Sequence, residues 1–275
     1  MSLDIGDAIS NGFERLTDRN GLLLLGVFVA FGLVNTVVGQ SFFTAYLEFV
    51  RSSFETMPGG PGMGDQPFPF APGGQSMPFS LPLSLPVVAA LSLGLAVLSE
   101  ALRIVTIRVI ASDERTTIPD TATRNIGMAT VTAFLLGLVV NIAIGIGLVF
   151  LILPGVFLAV SFYFVRPAIA LEDKGIDALS RSWELATGNR LDLFLLLVLV
   201  WFISLLASIP ATILNFVSPI AGALVGVVVN AVVLVFGIAV ATDAFLQLRT
   251  DEDDDEDIGA VDADSEFFDA EREEL

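Results

Sequence analysis

Residues 177–214 read DALSRSWELATGNRLDLFLLLVLVWFISLLASIPATIL, a short amphipathic stretch that leads directly into a long apolar one. Within Leu191–Ile209, 14 residues are Leu, Ile, Val or Phe. Insertion of such a segment into a bilayer is favourable by roughly 6 kcal/mol, so the single charge of Asp192 at its edge does not prevent it from forming a membrane helix. The stretch therefore predicts an amphipathic helix at the membrane interface followed by a transmembrane helix.

The same pattern occurs near the N-terminus. Asp7–Glu14 reads DAISNGFE and Asp177–Glu184 reads DALSRSWE, and a weaker third copy begins at Asp120. Each copy precedes an apolar run. We therefore predict an all-α, integral membrane helical bundle of about six transmembrane helices, arranged as three repeats of an interfacial amphipathic helix plus a helical hairpin.

Composition supports a membrane protein. Hydrophobic residues make up 54% of the 275 residues, and the apolar residues occur in blocks long enough to cross the roughly 30 Å hydrocarbon core of a bilayer. Six such blocks are predicted to span the membrane, with a tight turn at Leu153-Pro154-Gly155 between the third and the fourth: Gly21–Leu47, Pro86–Ile110, Ala129–Leu153, Gly155–Leu171, Leu191–Leu214 and Pro219–Phe245.

Two regions differ from these blocks in composition. Residues 50–85 are rich in proline and glycine, which predicts an extracytoplasmic loop without regular structure. Residues 251–275 contain 14 acidic residues and one arginine, and they therefore hold most of the chain's net charge of −18. We predict a polytopic membrane domain at 1–249 and an acidic, disordered cytoplasmic tail at 250–275. Acidic exposed regions with a single lysine in the whole chain are typical of halophilic proteins.

Basic residues predict the orientation. If the N-terminus is cytoplasmic, twelve of the thirteen basic residues fall on the inner side or at the inner ends of helices, and only Arg51 lies outside. The positive-inside rule then predicts a multi-pass protein of the cell membrane with both termini in the cytoplasm.

The amphipathic stretches carry apolar residues at helical spacing. Ile5, Ile9, Phe13 and Leu16 form one stripe, and Leu179, Trp183 and Ala186 form a second one. Aromatic side chains in such helices favour the headgroup level of a bilayer. Phe13 and Trp183 are therefore predicted to be interfacial anchors, with the lipid bilayer as their partner.

Residues 153–197 contain Pro154-Gly155, Arg166-Pro167, the segment ALSRSWE at 178–184 and Gly188-Asn189-Arg190. This order resembles the membrane domain associated with glycerophosphoryl diester phosphodiesterases and the stand-alone membrane proteins related to it. The resemblance implies a multi-pass membrane fold. It implies no phosphodiesterase activity here, because in that family the chemistry belongs to a separate soluble domain.

The residue types limit the possible chemistry. The sequence contains no Cys and no His, which excludes a disulfide framework, a thiolate metal site and a histidine general base. Gly62-Met63-Gly64-Asp65 has the form of an intramembrane protease motif but lies in the Pro/Gly-rich loop. We predict neither a catalytic site nor a cofactor or metal, and the chain has no basic surface suited to nucleic acid.

Polar residues within the apolar blocks are the candidate site. Glu100 and Arg103 are spaced to pair on one helix face, and Asp243 could join them in an intramembrane polar cluster. Alternatively, the membrane edge falls near Glu100 and the helix continues as an inner stalk. Asn35, Asn141 and Asn230 also lie in apolar blocks.

Two functions remain open. The first is a non-enzymatic scaffold, accessory or regulatory membrane module, with another membrane protein as a candidate partner. The second is a small-solute or lipid transporter that uses the intramembrane polar residues. A homo-oligomer is also open, since Gly222 and Gly226 form a Gly-x-x-x-Gly step that permits close helix contact.

Overall fold

The computed structural model describes the backbone of residues 3–55, 77–112, 114–115, 117–150 and 152–273, and the side chains of these residues except 54–55 and 251–273. Every regular element in these ranges is helical. The elements are α1 (Ile5–Thr17), α2 (Arg19–Glu55), α3 (Leu85–Ala111), a 3₁₀ turn (Asp120–Thr123), α4 (Ile126–Phe150), α5 (Ile152–Ser161), α6 (Val165–Glu172), α7 (Ala178–Ala186), α8 (Arg190–Val217) and α9 (Pro219–Glu273).

Six helical segments are long and apolar enough to cross a membrane, as the sequence predicts. Five are single helices, and the fourth consists of α5 and α6 together. Sequential segments pack as neighbours: α2 lies against α3, α4 against α5, and α8 against α9. The all-helical bundle with six candidate membrane spans is confirmed.

A short break divides the fourth segment between Ser161 and Val165. A break in an apolar helix leaves backbone N–H and C=O groups without their usual partners. Ser182 of α7 supplies partners on both sides: its hydroxyl donates to the carbonyl of Ser161 at 2.9 Å and accepts from the backbone N–H of Phe164 at 3.1 Å. The amphipathic helix α7 thus completes the hydrogen bonding of the broken span.

The helix α4 ends at Phe150 and α5 begins at Ile152, so the predicted turn residues Leu153-Pro154-Gly155 lie within α5 instead. Pro154 and Gly155 belong to the first turn of α5, where a proline is tolerated because its position needs no N–H donor. Gly155 serves close packing, since a Cβ atom there would lie 2.6 Å from the backbone nitrogen of Leu148. The glycine allows α5 to fold back tightly on α4.

The predicted loop at residues 50–85 is shorter on its N-terminal side, because α2 continues to Glu55. Its C-terminal end is attached to α2: the backbone N–H groups of Phe79 and Leu81 donate to the side chains of Gln40 and Ser41 at 2.9 and 2.8 Å. Residues 56–76, which include the motif at 62–65, lie outside the described residues.

Two of the three predicted amphipathic helices form as α-helices, α1 and α7. The middle copy is only the four-residue 3₁₀ turn Asp120–Thr123, consistent with its thinner apolar stripe. These three elements cover one end of the bundle, which we call the capped end. There the side chain of Arg15 donates to the carbonyl of Ser112 at 2.9 Å, and Asn20 donates to the carbonyls of Glu114 and Thr117 at 2.8 and 2.9 Å.

The buried faces of α1 and α7 differ from the predicted stripes. Ala8, Gly12 and Leu16 are the buried residues of α1, and a Cβ atom at Gly12 would lie 2.7 Å from the side chain of Val240. In α7, Ser182 and Ala186 are buried and Trp183 is not. Small residues face the bundle beside Leu16 and Leu185 because they permit close approach, whereas the large rings of Phe13 and Trp183 lie at the edge of the contact.

The well-packed core lies next to the capped end. Its members include the C-terminal half of α3, α6 and residues 231–248 of α9, and it contains the fully buried rings of Phe164 and Phe245, whose centroids are 5.7 Å apart. The backbone of α9 continues through the acidic residues to Glu273. Side chains are described only as far as Thr250, and the disorder of residues 250–275 stays a prediction.

Candidate functional site

Glu100 forms an ion pair, but its partner is Arg166 rather than Arg103. The Nε and Nη2 atoms of Arg166 donate to the two carboxylate oxygens of Glu100 at 2.9 and 3.0 Å. This is the bidentate geometry in which arginine binds carboxylates most strongly. Glu100 is only 9% exposed, so the pair joins α3 to α6 in the interior of the bundle.

A glycine makes room for this pair. A Cβ atom at Gly137 of α4 would lie 3.3 Å from Nη2 of Arg166, which is closer than ordinary van der Waals contact. Two glycines of α4 have separate uses. Gly137 accommodates the guanidinium group, and Gly147 approaches the backbone of Gly155 at the hairpin.

Arg103 has no such partner. Its Nε atom is buried and makes no hydrogen bond, and no ion pair to its guanidinium group is formed by the residues that the structure describes. Both oxygens of the neighbouring Glu100 are already engaged by Arg166. Together the three side chains carry one negative and two positive charges, which leaves a net charge of +1.

Such a charge is costly at membrane depth. An arginine at the centre of a membrane helix costs about 2.5–3.5 kcal/mol on insertion scales. Ionisable residues in such positions are therefore rare, and they usually face a cavity or a partner of opposite charge. Arg103 faces a cavity.

The cavity has a volume of about 540 Å³ and lies between α2, α3 and α9. Polar side chains from all three helices line it. These are Asn35, Thr36, Ser92, Ser99, Arg103 and Asn230. The remaining lining is largely apolar, with the rings of Phe28 and Phe31 on α2. Its volume is within the range of ligand pockets, roughly 300–1,000 Å³.

Asp243 does not join this group. Its carboxylate accepts from the side-chain amides of Asn11 at 3.1 Å and of Gln247 at 2.7 Å, so it attaches α9 to α1 at the capped end. The sequence prediction of a cluster of Glu100, Arg103 and Asp243 thus separates into two sites. Asn141, which the sequence also indicates, donates to the carbonyl of Gly137 one turn earlier in its own helix, at 2.7 Å.

A second arginine of α3 was missed by sequence reasoning. Arg108 is buried at the capped end, and its guanidinium group donates to the carbonyl of Ala170 at 2.7 Å, to the carbonyls of Ala122 and Arg124, and to the carboxylate of Asp173 at 3.1 Å. It satisfies the C-terminal carbonyls of α6 and of the 3₁₀ turn, which have no partner within their own helices. Arg108 therefore fixes the elements of the capped end to α3.

The two predicted anchors are partly exposed at the edges of α7 and α1. Trp183 is 39% exposed; its ring makes an edge-to-face contact with Phe157, with centroids 5.5 Å apart, and lies under the guanidinium group of Arg190 at 4.8 Å. Phe13 is 51% exposed, with its ring 4.8 Å from that of Phe236. Both have one face on the bundle and one face free, which suits the headgroup level; that placement stays a prediction.

Among the described residues, no group of three or more carboxylates is placed to hold a metal ion. The chemistry that the cavity beside Arg103 supports is ligand binding. A cavity with a single uncompensated cation and several amide and hydroxyl groups favours an anion.

Residues 3–248 match the model of one protein family, described as a domain of unknown function (DUF7847). The match covers nearly all of the six spans and both amphipathic helices. The chain belongs to this family. Glu100, Arg103, Arg108 and Arg166 all fall within the matched region.

Neither a curated protein nor a solved structure matches the chain. The family description names no activity. The resemblance of residues 153–197 to the membrane domain associated with glycerophosphoryl diester phosphodiesterases stays a prediction, since the family match does not bear on it.

Proposed function

We propose that this DUF7847 member is a non-enzymatic, multi-pass protein of the cell membrane that acts as an accessory or regulatory module for another membrane protein. Both termini and the capped end lie on the cytoplasmic side. Support for the orientation comes from the basic residues at the capped end, among them Arg15, Arg108 and Arg115, because cytoplasmic ends of membrane proteins are enriched in arginine and lysine.

The proposed construction is three units, each an end-capping element followed by a hairpin of spans. Equivalent positions of the two α-helical copies have the same burial, which supports this division. Ala8 and Ala178 are fully buried, and Gly12 and Ser182 are buried one turn later. Phe13 and Trp183, which follow them, are both partly exposed.

One observation carries the proposal of a module: hydrogen bonds and ion pairs join the elements of the capped end into one layer. The buried Arg108 joins α3 to α6 and to the 3₁₀ turn. Arg115 forms ion pairs with Glu14 and with Asp18, the latter at 3.4 Å, and so joins α1 to the segment after α3. A helical bundle that contacts only lipid does not need a bonded layer outside its spans. A surface that docks another protein does, because its residues must be held in place.

Site-specific photo-crosslinking in native membranes tests this. A photoreactive residue at Ile176, which is 76% exposed at the capped end, is expected to yield one discrete adduct with another membrane protein. The matched control is Leu81, which is 50% exposed beyond the opposite ends of the spans and should give none. Lipid adducts alone at Ile176, in membranes where the protein is abundant, would contradict the module proposal.

Orientation is tested separately with accessibility reporters. A reporter at Met63 should be extracytoplasmic, and one at Asp257 should be cytoplasmic. The opposite result at either position would contradict the proposed topology.

A second candidate function, transport of a small solute or lipid, is favoured by the cavity beside Arg103. Its polar lining lies within helices that are otherwise apolar. The candidate homo-oligomer has less support, because the Gly-x-x-x-Gly step of α9 is used within the chain. A Cβ atom at Gly222 would lie 2.5 Å from the backbone of Asn215 in α8.

A further inference from the structure

The cavity between α2, α3 and α9 lies at mid-depth in the bundle. At 1.5 Å per residue, Arg103 is about 12 Å along the axis from the end of α3 at Ala111, and Asn230 is about 16 Å from the start of α9 at Pro219. Asn35 is about 24 Å from the start of α2 at Arg19. The half-thickness of the hydrocarbon core is roughly 15 Å, so these polar groups belong to the interior of the spans rather than to their ends.

Four of the polar side chains in the lining have hydrogen-bonding groups to spare. Within the described residues, the amides of Asn35 and Asn230 make no hydrogen bond, and neither do the hydroxyl of Ser92 and the guanidinium group of Arg103. Thr36 and Ser99 differ, because their hydroxyls donate to carbonyls of their own helices at 2.8 and 2.7 Å. The spare donors therefore come from three different helices and surround one space.

The charge at this space is positive, and no described residue forms an ion pair with it. Glu100 is the only carboxylate of α3, and it is held in a bidentate pair by Arg166. Asp243, the carboxylate of α9 within its membrane span, is bound by Asn11 and Gln247. A positive charge in an apolar surrounding favours an opposite charge, and the one carboxylate beside Arg103, that of Glu100, has both oxygens engaged by Arg166.

We infer that this cavity is a binding site for an oxyanion, with Arg103 as its principal ligand and the amides of Asn35 and Asn230 as additional donors. The planar fork of arginine matches phosphate and carboxylate oxygens better than a point charge does. The remaining wall is apolar, including Phe28, Phe31 and Leu234. A phosphate group attached to acyl chains satisfies both parts of the lining, so an anionic phospholipid fits better than a free anion.

Binding of radiolabelled phosphatidylglycerol to the delipidated, full-length protein on scintillation beads would test this inference. The assay should be made in detergent at ~1 M salt, where a Debye length of about 3 Å suppresses binding to surface arginines. The wild-type protein is expected to bind one lipid per chain, with little affinity for phosphatidylcholine. Arg103→Gln should weaken binding about tenfold, which corresponds to about 1.4 kcal/mol, and Arg103→Lys should retain part of the affinity.

The matched control is Arg249→Gln, which removes one positive charge at the end of the candidate membrane span Pro219–Thr250, away from the cavity, and should leave binding unchanged. Ala96→Phe is a second variant that keeps Arg103 but places a ring in the cavity that Ala96 lines; it should also lose binding. This variant keeps the proposal testable if Arg103→Gln does not fold.

Inorganic phosphate distinguishes the two sources of the anion. Displacement of the lipid by millimolar phosphate, with the same dependence on Arg103, would assign the site to a free oxyanion. No displacement by phosphate would assign it to the lipid. Equal affinity of the wild-type, Arg103→Gln and Ala96→Phe proteins for both probes would overturn the inference.

Discussion

Two arginines of α3 lie little more than one turn apart and have opposite environments. Arg108, at the capped end, donates hydrogen bonds to three carbonyls and one carboxylate. Arg103, nearer the middle of the helix, makes no hydrogen bond or ion pair with any described residue and faces a cavity. An arginine thus stabilises the fold at position 108, whereas at position 103 it is a charge without a hydrogen-bonding partner among the described residues.

This difference separates two kinds of polar residue in a membrane helix. One kind completes the hydrogen bonding of backbone groups that the fold itself leaves open, and its removal damages the fold. The other kind adds to the energetic cost of folding and is retained for a reason outside the protein's own packing. Substituting residues of the first kind should therefore destabilise the fold, whereas substituting residues of the second kind should leave it intact. Stability measurements on both sets test the comparison.

The largest effect is expected for Arg108→Gln. The change leaves the carbonyls at the ends of α6 and the 3₁₀ turn without their donors and leaves Asp173 with fewer partners. Loss of a buried, charged partner costs roughly 3–5 kcal/mol. Thermal unfolding in detergent should show a clearly lower midpoint, partly restored in Arg108→Lys. A midpoint equal to that of the wild type would remove the distinction between the two arginines.

A somewhat smaller effect is expected for Glu100→Gln. It leaves Arg166 without its bidentate partner and places two uncompensated arginines near each other. We expect a loss of stability of about 3 kcal/mol. The double variant with Arg166→Gln should recover part of the loss, because it removes the second unpaired charge. If the single and double variants are equally unstable, then the pair does not stabilise the fold by its charge.

Ser182→Ala tests the satisfied side of the comparison without changing a charge. The hydroxyl bridges the break between α5 and α6, and its loss leaves one buried backbone donor and one buried acceptor unpaired. The expected cost is about 1–3 kcal/mol. Ser180, which lies on the exposed side of the same helix, is the matched control, and Ser180→Ala should be neutral. Equal effects of the two changes would argue against the bridge.

The smallest effect on stability is expected for Arg103→Gln. The change removes a charge that no described residue compensates, so the unfolding midpoint without added lipid should be unchanged or slightly higher. A loss of several kcal/mol would mean that Arg103 supports the fold as Arg108 does, and the comparison would fail.

Much of the fold could be predicted from the sequence because its signal is local. Apolar blocks of membrane length gave six spans, and the helical spacing of Leu179 and Trp183 indicated a helix before α8. The face of that helix was harder to predict. Ala8 and Gly12, and likewise Ser182, face the bundle because close packing selects small residues, while an apolar stripe emphasises large ones.

The site could be predicted only in part. Glu100 and Arg103 stand out because charges are rare in apolar segments. The partner of Glu100 is 66 residues away at Arg166, and no spacing within one helix reveals it. In the sequence, Arg108 looks like any other arginine on the inner side of the membrane. Its role was not predictable because the backbone carbonyls that it binds come close to it only in the folded chain.

The most direct test of this account is chemical modification of the two arginines in one sample. The delipidated, folded protein is treated with phenylglyoxal, which reacts with free guanidinium groups, and modification at each arginine is mapped by mass spectrometry. We predict that Arg103 is modified while Arg108 is protected until the protein unfolds, and that added phosphatidylglycerol protects Arg103. Equal modification of both residues in the folded protein, or protection of Arg103 alone, would contradict it.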